Sequence, residues 1–297
     1  MLQMVKRLLS IAICVAAMSG CNQLDLAGLV MPTGEGVEKR FEQSQSMKAD
    51  MKAGVVDVQS DYMFYVCADP HIHTTYNNLG IFNNALRNDS DAAFGVILGD
   101  CTDTRSNLQT YMGAIKYNAV QHRYNYDIFH ILGNHDLFFN GWVDFKEIIG
   151  PSVYWFEVAF PEGKDLYISL DTATGTLGSK QTQWLKSFLI NNRHAYRHCI
   201  VLTHTNFFYT DRTQSSSGNM PIEESIALID FLGKQKVSLV LQGHDHYRED
   251  LTYDNVRYTV IGAISDEIEA PEYLKVYVSS DKVDLDWQLI AEDTELQ

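Results

Sequence analysis

From residue 62 onward, short apolar runs alternate with stretches of helical periodicity. The runs fall at 63–67, 93–98, 127–132, 153–160, 166–170, 200–203 and 237–241, most of them of a length that suits a buried strand. Between them, 107–121, 179–192 and 222–232 predict helices; in the second, Trp184, Leu185, Phe188 and Leu189 recur at helical spacing. Past Asp250 the pattern returns to strands over 257–261, 273–278 and 283–289. Strands alternating with helices predict an α/β sheet with crossover helices. No repeat and no linker divides residues 61–297, which read as one domain.

The chain ahead of that domain has a different texture. Residues 21–60 mix Gly, Gln, Lys and Glu with little strand character, and 37–52 suits a short surface helix, so the segment reads as a tether with a peripheral element. Residues 1–20 read as a signal peptide: Lys6 and Arg7 give a positive start, an apolar run follows over 8–18, and Ser19-Gly20 precede Cys21. That run is too short to span a bilayer permanently. The small-small-Cys ending resembles the lipobox of bacterial lipoproteins, although Met18 stands where that pattern usually has Leu. It predicts lipidation at Cys21 and an exported chain anchored to the bacterial cell envelope; cleavage elsewhere, or a plain tethering segment, is the alternative.

Composition changes the picture little until charge is considered. At 45% hydrophobic and 21% charged residues the chain is globular in character. Its net charge of −15 argues against duplex nucleic acid as a partner, because a broad basic surface is what neutralises phosphates. A small phosphorylated substrate remains compatible if bound cations reverse the local field. Cys67, Cys101 and Cys199 show no CxxC spacing, and Cys67 and Cys199 sit in apolar runs as buried thiols would.

Five predicted strands end in polar words: Asp69-Pro70-His71, Gly99-Asp100-Cys101-Thr102-Asp103, Gly133-Asn134-His135-Asp136, Thr203-His204-Thr205-Asn206 and Gly243-His244-Asp245-His246. In an open α/β sheet, groups beyond the carboxyl ends of strands share one rim, so these words are expected to converge. Five of the ten histidines fall in them. Imidazole, carboxylate and one carboxamide, without an evident thiolate, form a donor set for divalent transition metals. Glycine before Asp100, Asn134 and His244 would let the backbone turn as each side chain is presented.

The order D-x-H, GDxxD, GNHD, H, GHDH resembles the calcineurin-like metallophosphoesterase superfamily over residues 69–246. The resemblance implies a four-layer αββα sandwich of two mixed sheets flanked by helices. It implies two divalent metal ions (Mn, Fe, Zn or a mixture), with Asp69, His71 and His246 on one, Asn134, His204 and His244 on the other, and Asp100 bridging. It also implies hydrolysis of a phosphomonoester or phosphodiester, nucleotide-type esters among them, by a metal-activated hydroxide. His135 would face the substrate as a catalytic residue, with Asn134 beside it, and Asp103 would orient His135 unless it merely caps a helix.

Other residues are more ambiguous. Asp245 reads as a carboxylate that fixes a histidine, and Asp136 as the same or a turn former. Arg105 could clamp a phosphate, but stands one position away from the Arg of the phosphoprotein phosphatase branch. Asp103 occupies the place of the tyrosine ligand of purple acid phosphatases, so a phenolate-bound iron is not expected. Residues 206–220, with Phe207, Phe208, Tyr209 and Arg212, form a loop that either meets the substrate or packs on the body. An exported metal-containing phosphoester-binding protein without turnover is the competing function. Oligomeric state is not legible.

Overall fold

The chain folds as two mixed sheets packed face to face, seen in a computed structural model that describes residues 35–73, 75–102, 104–121, 128–208 and 219–290. The larger sheet holds β1 (Lys52–Asp57), β5 (Tyr154–Phe160), β6 (Gly163–Ser169), β7 (Cys199–Leu202), β8 (Leu239–Gln242), β9 (Glu249–Tyr253) and β10 (Val256–Val260), in the order β1-β5-β6-β7-β8-β10-β9. The smaller holds β2 (Tyr62–Cys67), β3 (Ala92–Ile97), β4 (Ile128–His130), β11 (Glu272–Val278) and β12 (Val283–Leu289), in the order β12-β11-β2-β3-β4.

Alternation along the strands divides the side chains between two environments, as a period of two requires. In β2, Phe64 and Val66 enter the core between the sheets, where they meet Phe156 and Tyr167 of the other sheet. Met63, Tyr65 and Cys67 face the opposite way, onto α2 (Asn77–Asn88) and α3 (Arg105–Gln121). The outer face of the larger sheet is covered in the same manner by α5 (Gly178–Asn192) and α6 (Ile222–Lys234), through Leu185, Leu189, Leu228 and Leu232. Helix, sheet, sheet, helix is the layering expected from the resemblance.

The region read as a tether contributes more than a peripheral helix. The helix α1 (Val37–Met47) ends before residue 52, and Lys52–Asp57 forms β1, paired in parallel with β5 at the sheet edge. Only every second residue of β1 is partly covered, and Lys-Ala-Gly-Val-Val-Asp carries no strong alternation, which is why it escapes a hydrophobicity reading. The helix is bolted down by a charge: Arg40 is fully buried and meets Asp171 with Nε at 2.8 Å and Nη2 at 2.9 Å. Residues 1–34, including the signal peptide and Cys21, lie outside the described residues. Among the described residues no helix is long and apolar enough to cross a membrane.

Other elements, β9 among them, are also absent from the sequence reading. The helix α2 is rich in Asn but turns Leu79, Phe82 and Leu86 inward. A 3-10 turn (His135–Asn140) leads into α4 (Gly141–Ile148), which seats Trp142 and Phe145 beneath the rim.

Candidate metal centre

The five words meet. β2 and β3 run parallel in one sheet, β7 and β8 in the other, so their carboxyl ends point to a common rim. Backbone bonds tie the words together there: the N–H of Asp69 donates to the Gly99 carbonyl, that of His71 to Asp100, and that of Gly243 to His204. Donor atoms of Asp69, His71, Asp100 and His246 lie within 4.8 Å of one another, as do those of Asp100, His204 and His244, so each group could hold an ion and Asp100 belongs to both. Asn134 stands beside the second group, its Oδ1 2.9 Å from His204 Nε2.

Presenting these side chains bends the backbone into sparsely populated territory. Asp69, His71, Asp100, His244 and His246 all have φ between +43° and +73°, in the left-handed region that costs a non-glycine residue roughly 1–3 kcal/mol each. Of the three glycines expected to permit turns, Gly99 does so, with φ +89°. Gly133 acts differently, by making room: a Cβ there would stand 2.1 Å from Asp100 Oδ1.

Neighbouring words orient each carboxylate. Asp100 Oδ1 accepts the His135 N–H at 2.8 Å, and Asp69 Oδ2 accepts the His244 N–H at 3.0 Å. Asp69 Oδ1, buried, has no hydrogen-bond partner. His204 Nδ1 sits 2.7 Å from the Leu98 carbonyl, which keeps a proton on Nδ1 and turns Nε2 into the site. There it faces Asn134 Oδ1, while His71 Nε2 faces His246 Nε2 at 3.1 Å. Imidazole nitrogens and oxygens converging around a buried carboxylate oxygen without a hydrogen-bond partner fit a divalent cation.

Electrostatics reflect the crowding. Burial holds the Asp69 carboxyl well above the usual range and drives His71 down to about 3. Burial acts against the charge of His204 as well, yet Asp100 and Asp69 beside it prevail and lift it to about 10. Asp100 itself is lowered despite burial by His204 and His135. His135 is partly exposed, its ring edge-on to His71 at 4.6 Å and tilted against Phe138 at 4.4 Å.

Several sequence expectations change. Asp136 is a brace, its two oxygens accepting the N–H groups of Thr102 at 3.2 Å and Gly133 at 2.9 Å. Burial and the nearby Asp100 raise it to about 7. Asp245 accepts from Asn206 Nδ2 at 2.8 Å and so steadies a loop. Arg105 pairs with Asp144 and Glu147. Asp103 and Arg212 lie outside the described residues. A sixth strand-end word, Asp171-Thr172 after β6, was passed over although it opens where a buried run stops, and it bonds to both residues that flank His204.

The profile of the family described as Calcineurin-like phosphoesterase matches residues 62–248, and the chain belongs to that family. No curated protein matches it by sequence. Among solved structures it is similar to a dimetal phosphatase from Danio rerio, at 14% identity and TM-score 0.58, over 78% of this chain and 97% of that one. It is similar to the purple acid phosphatase PPD1 from yellow lupin seeds, at 14% identity and TM-score 0.59, over 78% of this chain and 52% of that one. A third likeness is to GAP50, named as the anchor in the inner membrane complex of Plasmodium, at 14% identity and TM-score 0.56, over 80% and 86%. At such identities the likenesses concern the fold.

Proposed function

We propose that this chain hydrolyses small phosphate esters at a two-metal centre, with Asp69, His71 and His246 on one ion, Asn134, His204 and His244 on the other, and Asp100 between them. The observation that carries the reading is the membership of Asp100 in both donor groups. When bound, such an ion pair neutralises charge on the phosphoryl oxygens and supplies a water of lowered pKa. The chain's own residues do the rest. His135, anchored through its backbone to Asp100, presents a partly exposed imidazole beside His71, where it can contact the transferring phosphoryl group or protonate the leaving oxygen. Asp136 holds the two loops that carry Asp100 and His135 in register. Asp103 is assigned the task of orienting His135, and Arg212 a contact to substrate.

Release of p-nitrophenol from p-nitrophenyl phosphate or its bis-ester by Mn-loaded protein tests the proposal, and the ratio of the two rates sorts monoester from diester preference. Release of neither by protein holding two ions per chain would instead favour a phosphoester-binding protein without turnover. The proposed setting is the bacterial cell envelope, with a lipid on Cys21. Metabolic labelling with a fatty acid should mark the wild type, and a Cys21→Ser chain that labels equally would remove the anchor from the proposal.

A further inference from the structure

Past the end of β6, Asp171 and Thr172 run beside the residues that carry His204. Thr172 grips this segment three times. Its Oγ1 is 2.7 Å from Thr203 Oγ1 and accepts the Thr205 N–H at 3.0 Å, while its carbonyl accepts Thr205 Oγ1 at 2.8 Å. Thr172, Thr203 and His204 are fully buried, and Thr205 very nearly so. The residues before and after His204 are therefore held by one side chain and its own carbonyl.

Thr172 is itself held from behind. Asp171 exchanges two bonds with the Gln181 side chain, from its N–H at 2.9 Å and to its carbonyl at 2.9 Å. Its carboxylate accepts from Ser152 Oγ at 2.9 Å and takes both arms of Arg40. Arg40 comes from α1, whose Ser44 Oγ also accepts the Ser152 N–H at 3.1 Å. A continuous run of buried polar contacts thus leads from the amino-terminal helix to the loop of one imidazole.

From this geometry we infer that Thr172 is a positioning residue for His204, and that Arg40 and Asp171 hold Thr172 in place. The inference rests on the two-metal reading above. A metal-bound imidazole works only when its lone pair is aimed, and partners outside the ligand set that aim it are typically worth about 10–100-fold in metal affinity. Thr172 differs from such a partner in one respect. It fixes the backbone on either side of the ligand, leaving the ring nitrogen to the Leu98 carbonyl.

Calorimetric titration of chelator-stripped protein with Mn(II) tests this without reference to turnover. Wild type should take two ions. Thr172→Val should weaken one of them by about 10-fold or more and leave the other unchanged, Thr172→Ser should bind as wild type does, and Thr172→Val should add no further loss to His204→Ala. Thermal unfolding of the stripped variants reports whether the fold is intact. If Thr172→Val does not fold, Thr203→Val, which removes only one hydroxyl contact, reads the same ion. Two ions bound normally by a folded Thr172→Val, both ions weakened equally, or Thr172→Ser as defective as Thr172→Val would each overturn the inference while leaving the two-metal reading intact. Wild type that binds no Mn(II) would overturn both.

Discussion

Polar groups inside this molecule are matched by two opposite rules. At the rim, atoms able to bind a metal are turned toward one another: His71 Nε2 toward His246 Nε2 and His204 Nε2 toward Asn134 Oδ1, while Asp69 Oδ1 has no hydrogen-bond partner. Elsewhere acids meet bases, at two separate places: just past β6 Arg40 pairs with Asp171, and on β5 Glu157 accepts from Lys52, Lys164 and Tyr196. These pairs complete themselves and contribute to stability, whereas the rim cluster balances only around positive charge. Burial alone does not distinguish the two, since Asp69 and Asp171 are equally inaccessible. Donor-to-acceptor balance does.

The sharpest way to break this contrast is Asp100→Asn. Asp100 belongs to both donor groups, so both ions should be lost. Turnover should then fall by more than the roughly 10²–10³-fold expected for His135→Ala, which removes a single transition-state contact and should leave metal content unchanged. Metal analysis of the two variants side by side checks the pair, and the reverse pattern would exchange their roles.

Arg40→Met strands a buried carboxylate and should cost about 3–5 kcal/mol in chemical denaturation. Adding Asp171→Leu should recover most of that loss, as expected where charges only need matching. At the rim no such compensation is expected for metal-binding function.

The smallest effect concerns acid. Burial opposes ionisation of Glu157, but hydrogen bonds from Lys164, Lys52 and Tyr196 outweigh it and hold the carboxyl down at about 2, against an ordinary 4.5. Its contribution is therefore complete above pH 4.5 and is lost as pH falls from 4.5 toward 2. Discounted for the solvent exposure of the two lysines, it amounts to about 1–2 kcal/mol. Glu157→Gln should flatten the acid limb of stability against pH by that amount; an unchanged limb would mean that the pair matters little.

The rim was legible in the sequence because its chemistry is concentrated in five words at strand ends, and the strands themselves announce it with buried runs such as Phe94 to Leu98. The edge of the larger sheet and the Arg40 pair were not. β1 is half-covered and gains its place from pairing with β5, and Arg40 looks like any surface arginine until Asp171 is beside it. Such partners are 131 residues apart and share no local pattern. Arg105 follows the same rule: its partners Asp144 and Glu147 lie 39 and 42 residues on in sequence and no local pattern announces them. Thr172 was missed because threonine carries no ligand chemistry, although its position at a strand end was visible.

Anomalous diffraction from crystals soaked in Mn(II) tests the central claim most directly. Two peaks about 3.5–4 Å apart are expected, one on either side of the Asp100 carboxylate. A single peak, or two that do not share Asp100, would contradict it.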